Sequence, residues 1–274
     1  MDLFVAAAIG LAAGAHVSTW GMYKDAIHEG FTWPKYFRSI VVSTLAAVVL
    51  WRLTGLYLNV AGDLVILFGL TYVTERALVE GWKTFLREED QSKYFIPMQF
   101  GVKGKPIKSR AVRWSVLAGI IVVVAVLAYL VYRLQEAFPY APVWLVLLTV
   151  GAAGGWLSAF GGAWKDAPVE GFETLKFFRS PLIAMTWATV MAFFTRNWIF
   201  LAMCGLGYTI ATIETYKTFF FPNKPRGKFA GKPIKFPRML RRRRLVAILY
   251  TLIWLVVIGL LVAAFRGPHY GLLG

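Results

Sequence analysis

The sequence predicts an all-α fold, a polytopic membrane helical bundle of about eight transmembrane helices built from two parallel tandem repeats of four. Three observations lead there. The composition is apolar, apolar runs recur at membrane-spanning length, and one charged phrase is written twice. The chain has 274 residues, 58% hydrophobic and 16% charged, with a mean hydropathy of +0.59. Soluble domains carry roughly 25% charged residues.

Crossing a bilayer takes roughly 20 apolar residues, and such runs follow one another along the chain. The first, about Leu3–Tyr23, has no basic region ahead of its apolar core and no convincing cleavage site. It therefore reads as a retained span rather than a removable signal. Ile40–Leu58, Val60–Val79 and Ser115–Tyr132 complete the first half. The second half supplies Val143–Trp164, Pro181–Thr195, Trp198–Thr215 and Leu245–Phe265. The sixth and seventh runs are short and only Arg196 and Asn197 separate them, which suits a tight helical hairpin.

The duplication rests on "KDAIHEGFTWPKYFRS" from Lys24 and "KDAPVEGFETLKFFRS" from Lys165, which agree at 10 of 16 positions with an offset of 141. The same offset lays Gly10, Gly14 and Ser18 over Gly151, Gly155 and Ala159. Further on, "FGLTY" meets "CGLGY", "EGWKTF" meets "ETYKTF", and "GKPIK" at Gly104 meets "GKPIK" at Gly231, with the offset shrinking to 134 and then 127. An internal repeat of this kind divides the chain into a first membrane repeat, 1–137, and a second, 138–274. Four spans per copy is an even number, so both copies enter the membrane the same way, as in transporters built from parallel halves.

Basic residues set the expected orientation. Lys83 to Arg113 carries eight Lys or Arg and three acids, and Lys217 to Arg244 carries eleven and none. The positive-inside bias places both loops in the cytoplasm, and with them the two charged phrases, leaving both termini outside. The setting expected is an integral protein of a prokaryotic plasma membrane. Nucleic acid is not an expected partner, because the membrane explains the charge.

Within the repeated phrase, Asp25 with Glu29 and Asp166 with Glu170 are four apart, so on a helix each pair shares a face. Gly30 and Gly171 then break the turn, and the aromatic-basic stretch that follows has the look of a short interfacial helix. The candidate charged site is Lys24, Asp25, Glu29, Arg38, Lys165, Asp166, Glu170 and Arg179. The competing reading is an elbow, with Asp capping a helix, lysines paired locally and arginines snorkelling to headgroups. A second candidate is the loop set Lys105, Lys108, Lys232, Lys235, Arg241 and Arg242, suited to anionic lipid at about 1 kcal/mol per basic residue near the surface. Its competing reading is topological, since basic loops fix orientation whatever else they do.

Other signals are weaker. Glu80 and Glu214 are matched; Glu75 and Arg76 fall in two extra residues of the first copy; His16 faces Leu157 in the alignment and reads as a hydrogen-bonded packing residue. The lone cysteine, Cys204, excludes an internal disulfide and a thiolate metal cluster. No HExxH, CxxC or Asp-rich diphosphate signature is present, so no metal or cofactor is expected. Gly10-x-x-x-Gly14 and Gly151-x-x-x-Gly155 allow close helix approach and point to spans one and five as the contact between halves, or to a homodimer or larger membrane assembly.

These features favour a transporter or carrier with a charged site at its cytoplasmic face. The alternative is a non-catalytic membrane subunit or scaffold binding anionic lipid or a partner. A lipid headgroup-modifying enzyme ranks below both, because the sequence holds no complete catalytic set, and the reading leans away from an enzyme.

Overall fold

The computed structural model describes residues 1–223 and 227–274. Lys224 and Arg226, two of the basic residues counted in the second loop, lie outside the described residues. The chain is 77% helix with almost no strand. In order, the helices are α1 (Asp2–Glu29), α2 (Trp33–Thr54), α3 (Ala61–Gly81), α4 (Arg110–Ala137), α5 (Val143–Glu170), α6 (Thr174–Met191), α7 (Trp198–Thr215) and α8 (Pro237–Arg266). A π turn, Trp82–Leu86, extends α3, another, Tyr216–Phe220, extends α7, and a third interrupts α5 at Leu147–Gly151.

Among the described residues six helices are long and apolar enough to cross a membrane: α1, α2, α4, α5, α7 with its π turn, and α8. The protein is thus a multi-span membrane protein by the length and apolarity of its helices. The other two differ for a visible reason. α3 carries Asp63, Glu75, Arg76 and Glu80, and α6 is only 18 residues long, with Lys176 and Arg179 near its start.

Local chemistry sets the boundaries. Gly30 and Gly171, at φ 78° and 84°, end α1 and α5, and each donates its N–H to the carbonyl four residues back, Ala26 and Ala167. A left-handed φ favours glycine at both turns. No separate interfacial helix follows, contrary to the sequence expectation. Trp33 and Thr174 begin α2 and α6 directly, because Pro34 suits the first turn of a helix while Pro168 sits inside the last turn of α5. Asn197 caps α7 by accepting from the N–H groups of Ile199 and Phe200, and Ser109 caps α4.

Small residues decide the packing. A Cβ on Gly14 would meet Ile40 Cα at 2.5 Å and Ser39 O at 2.7 Å; on Gly155 it would meet Pro181 Cα and Ser180 O, both at 2.5 Å. The GxxxG stripes therefore hold α1 to α2 and α5 to α6. This corrects the expectation that spans one and five make the central contact. A three-residue turn delivers α2 and α6 straight onto these bare faces, so the sequence neighbour occupies them. The central contact is α3 on α7, where a Cβ on Gly207 would lie 2.4 Å from Gly69 O. There Tyr208 Oη donates to Val65 O at 2.9 Å, and Cys204 Sγ lies 3.4 Å from Ile66 O.

The helix pairs sort into two ends. At one end, Arg196 Nε donates to Tyr270 O and Gly271 O, Tyr270 Oη donates to Asp63, and Asp63 also accepts from Tyr57 N. These bonds occupy the Arg196 guanidinium with backbone carbonyls near the end of the chain. At the other end lie the two basic loops. They pack on each other, Phe95 N donating to Lys228 O at 2.8 Å and Lys232 Nζ to Ser92 O at 3.1 Å. The first loop holds a two-strand hairpin, β1 (Gly101–Val102) with β2 (Lys105–Pro106). It is anchored by Arg113, whose fully buried guanidinium donates to the carbonyls of Phe85, Ile107 and Lys108 and pairs with Glu88.

Candidate functional site: a charged cavity at the basic-loop end

The C-terminal turns of α1, α3, α5 and α7 meet at the basic-loop end and carry ionisable side chains from both copies of the repeated phrase. Glu214 on α7 accepts from Lys24 on α1 at 3.2 Å and has Lys217 at 3.7 Å. Arg76 on α3 pairs with Glu80 and lies 3.9 Å from Glu75; Glu80 also holds Lys83 at 3.1 Å. Lys217 in turn feels both Lys24 and Asp166 electrostatically, so the two phrases share one charged region.

The two phrases are treated differently there. Asp25 and Glu29 are engaged by Lys228 of the second basic loop, at 2.8 and 3.3 Å, and Glu29 also accepts from Lys35. His28 Nδ1 lies 3.0 Å from Pro233 O, and the N–H groups of Lys235 and Phe236 donate to Ile27 O, so this loop seals the first elbow. In the second phrase, Asp166 and Glu170 share Lys176, at 3.1 and 2.9 Å. Lys165 has only Met98 Sδ, at 3.4 Å, and among the described residues no carboxylate lies within 4 Å of it. Arg179 has no hydrogen-bond or ion-pair partner among the described residues, and its Nε is buried. Its counterpart Arg38 rests 5.3 Å from the Trp82 ring centroid and feels Glu75.

Lys165, Asp166, Lys176 and Arg179 line a cavity of about 830 Å³, together with Arg76 and Glu80 from α3, and Glu214 and Lys217 from the end of α7. Below this charged rim its walls are apolar: Val73, Ile120, Leu157, Leu206 and Ile210. Lys24, Asp25, Glu29 and Arg38 do not line it, and Glu170 reaches it only through Lys176. Sequence reasoning missed Lys228, Arg113 and Lys176 as partners. Charge counting treats loop cations alike, so only the fold separates a structural lysine from a topological one. Of the loop set, Lys105, Lys108, Lys235, Arg241 and Arg242 are exposed and do not line this cavity, while Lys232 is tied to the Ser92 carbonyl.

In the loops and at the π turn after α3 the protonation shifts follow burial and neighbours. Burial alone would lower Lys228, but Asp25 and then Glu29 outweigh it and hold the ammonium above its ordinary value. Burial brings Lys83 down to about 8, against the opposing pull of Glu80. Tyr94, which donates to Glu89 at 2.9 Å, is raised by burial and by the Glu29 charge. Among the described residues no three His, Cys, Asp or Glu side chains converge as metal ligands would. No protein-family model, curated protein or solved structure matches the chain.

Proposed function

We propose that the protein is a membrane carrier made of two parallel tandem repeats, 1–137 and 138–274, crossing the bilayer eight times with its basic loops cytoplasmic and both termini outside. The charged cavity is the site through which it handles its solute. The observation that carries this reading is the cavity's wall, which draws Arg76 and Glu80 from the first repeat and Lys165, Asp166, Arg179 and Glu214 from the second. A site built at the junction of two units changes when the units rock, which is what alternating access requires. Support for the repeat comes from the matched glycine contacts of the two hairpins, the matched π turns 134 residues apart, and the starts of α4 and α8, 127 residues apart. Arg76 and Glu80 of α3, and Lys176 and Arg179 of α6, owe their place in these spans to this site.

The reading is tested by flux in proteoliposomes, with radiolabelled phosphate and a fluorescent phospholipid as separate probes. Asp166→Asn together with Arg179→Gln should abolish flux of the transported probe while the protein stays monodisperse. Flux of either probe that survives this pair unchanged, or no protein-dependent flux of any solute, removes the carrier reading and favours a scaffold.

A further inference from the structure

We propose that the cavity binds a lipid bearing an anionic phosphate headgroup, with the phosphate at Arg179 and Lys165 and the hydrocarbon chain along Ile120, Leu157 and Leu206. This deepens the carrier reading of the same site by naming the class of ligand.

The rim holds acids as well as bases, and what matters is which of them are already neutralised. Glu214 has Lys24, Glu80 has Arg76 and Lys83, and Asp166 has Lys176. Arg179 and Lys165 are left without a carboxylate in contact, and Glu173, the one other acid of the lining, is exposed at the mouth. Five bases against four acids line the cavity, so the rim presents a residual positive charge at the top of an apolar wall. An unpartnered, part-buried guanidinium is costly unless an anion joins it, and its planar fork suits phosphate oxygens. The matched arginine differs in its surroundings. Arg38 also has a buried Nε without a hydrogen-bond partner, but it has the Trp82 ring 5.3 Å away and Glu75 nearby, whereas Arg179 has no ring contact among the described residues and the second copy lacks a residue at the Glu75 position.

The lower cavity explains why the anion comes with a chain. None of the apolar window of α4 is buried, and α4 leans chiefly on α7 and on the π turn after α3 rather than on α5. A Cβ added at Gly161 or Gly162 of α5 would meet nothing within 4 Å. The gap between α4 and α5 is therefore apolar and open along its length, which suits an acyl or isoprenoid tail and wastes a small hydrated anion.

The test uses the full chain in detergent and counts bound lipid by native mass spectrometry after addition of phosphatidic acid, phosphatidylcholine or inorganic phosphate. Phosphatidic acid should bind one per chain, in preference to phosphatidylcholine, and excess inorganic phosphate should not displace it. Arg179→Gln should weaken this binding by about tenfold or more, the scale of a lost charged hydrogen bond. Ile120→Trp, which fills the tail groove without touching a charge, should weaken it independently, and Arg179→Lys should restore part of it. Full displacement by inorganic phosphate, or binding unaffected by Arg179→Gln and Ile120→Trp, overturns the proposal. So does loss of binding with Arg241→Gln/Arg242→Gln instead, since that places the lipid on the exposed basic loop. Lipid binding without flux would leave this inference standing and remove the carrier; flux of phosphate without lipid binding would do the reverse.

Discussion

The groove that α8 covers on α1 and α3 is filled, while the corresponding groove of α4, α5 and α7 is open. In the first, His16 Nδ1 lies 3.0 Å from Tyr72 Oη, which also accepts from Trp20 Nε1. The His16 ring is met by Tyr250 at 4.6 Å and Trp254 at 5.0 Å between centroids, and Phe219 stacks on Tyr250 at 4.2 Å. Aligned residues of the open groove are Leu157 for His16 and, at the loop offset of 127, Val123 for Tyr250 and Leu127 for Trp254. Three rings of the first groove are matched by aliphatic side chains in the second; Leu157 lines the cavity, and Val123 and Leu127 are exposed on α4, whose Ile120 lines it too. The two glycine-packed hairpins are thus alike, while one groove is filled with rings and the other holds the cavity.

The largest effect should come from what the two units share. Gly14→Leu and Gly155→Leu each drive a side chain into backbone at 2.5 Å, so both should prevent a stable hairpin, at a cost above the roughly 1–3 kcal/mol of ordinary overpacking. Gly162→Leu, facing open space, should leave thermal unfolding in detergent nearly unchanged. Equal tolerance of all three would break the claim that the GxxxG stripes are intra-unit contacts.

Next comes the plug. Tyr250→Val removes a ring that is 3% exposed and should destabilise the fold by about 2–5 kcal/mol. The reverse change, Val123→Tyr in the open groove, should cost little, because the space is there. A larger loss from Val123→Tyr than from Tyr250→Val in the same unfolding assay would show that the grooves are not filled and open as described.

The sealed elbow should give a smaller effect. Lys228→Ala leaves Asp25 without its partner and should cost about 1–3 kcal/mol, with faster protease cleavage in the 227–236 loop. The matched elbow, bridged by Lys176, should keep its cleavage pattern in that variant. Smallest is the pH dependence of Lys83. Its folded value, about 8, lies below the ordinary lysine value, so the unfolded chain binds more protons between about pH 8 and 10 and stability rises with pH across that window. Lys83→Met should abolish this rise between about pH 8 and 10.

Much of the fold was legible because membrane helices announce themselves by length and apolarity, as six helices among the described residues do. The elbows were legible as well, since Gly30 and Gly171 punctuate phrases that agree at 10 of 16 positions. The identity of the contacts was not. A GxxxG stripe states that a helix will approach closely but not which one, and Gly69 and Gly207 sat unnoticed within a repeat motif. The candidate site was half legible: Lys165, Asp166 and Arg179 line the cavity, but their counterparts Lys24, Asp25 and Arg38 are occupied elsewhere. Sequence symmetry cannot reveal that difference, because it depends on Glu75, Lys228 and the rings of α8, which lie outside the repeated phrase.

Single cysteines at the aligned positions Leu157 and His16, treated with a membrane-impermeant anionic thiol reagent, bear most simply on whether one groove is open and the other closed. Cys204 is fully buried and contributes little background. Leu157→Cys should react from the basic-loop face and be protected by phosphatidic acid, while His16→Cys stays inert from either face. Equal reactivity at the two positions, or reaction at His16→Cys alone, would contradict the assignment of an open site to the second repeat.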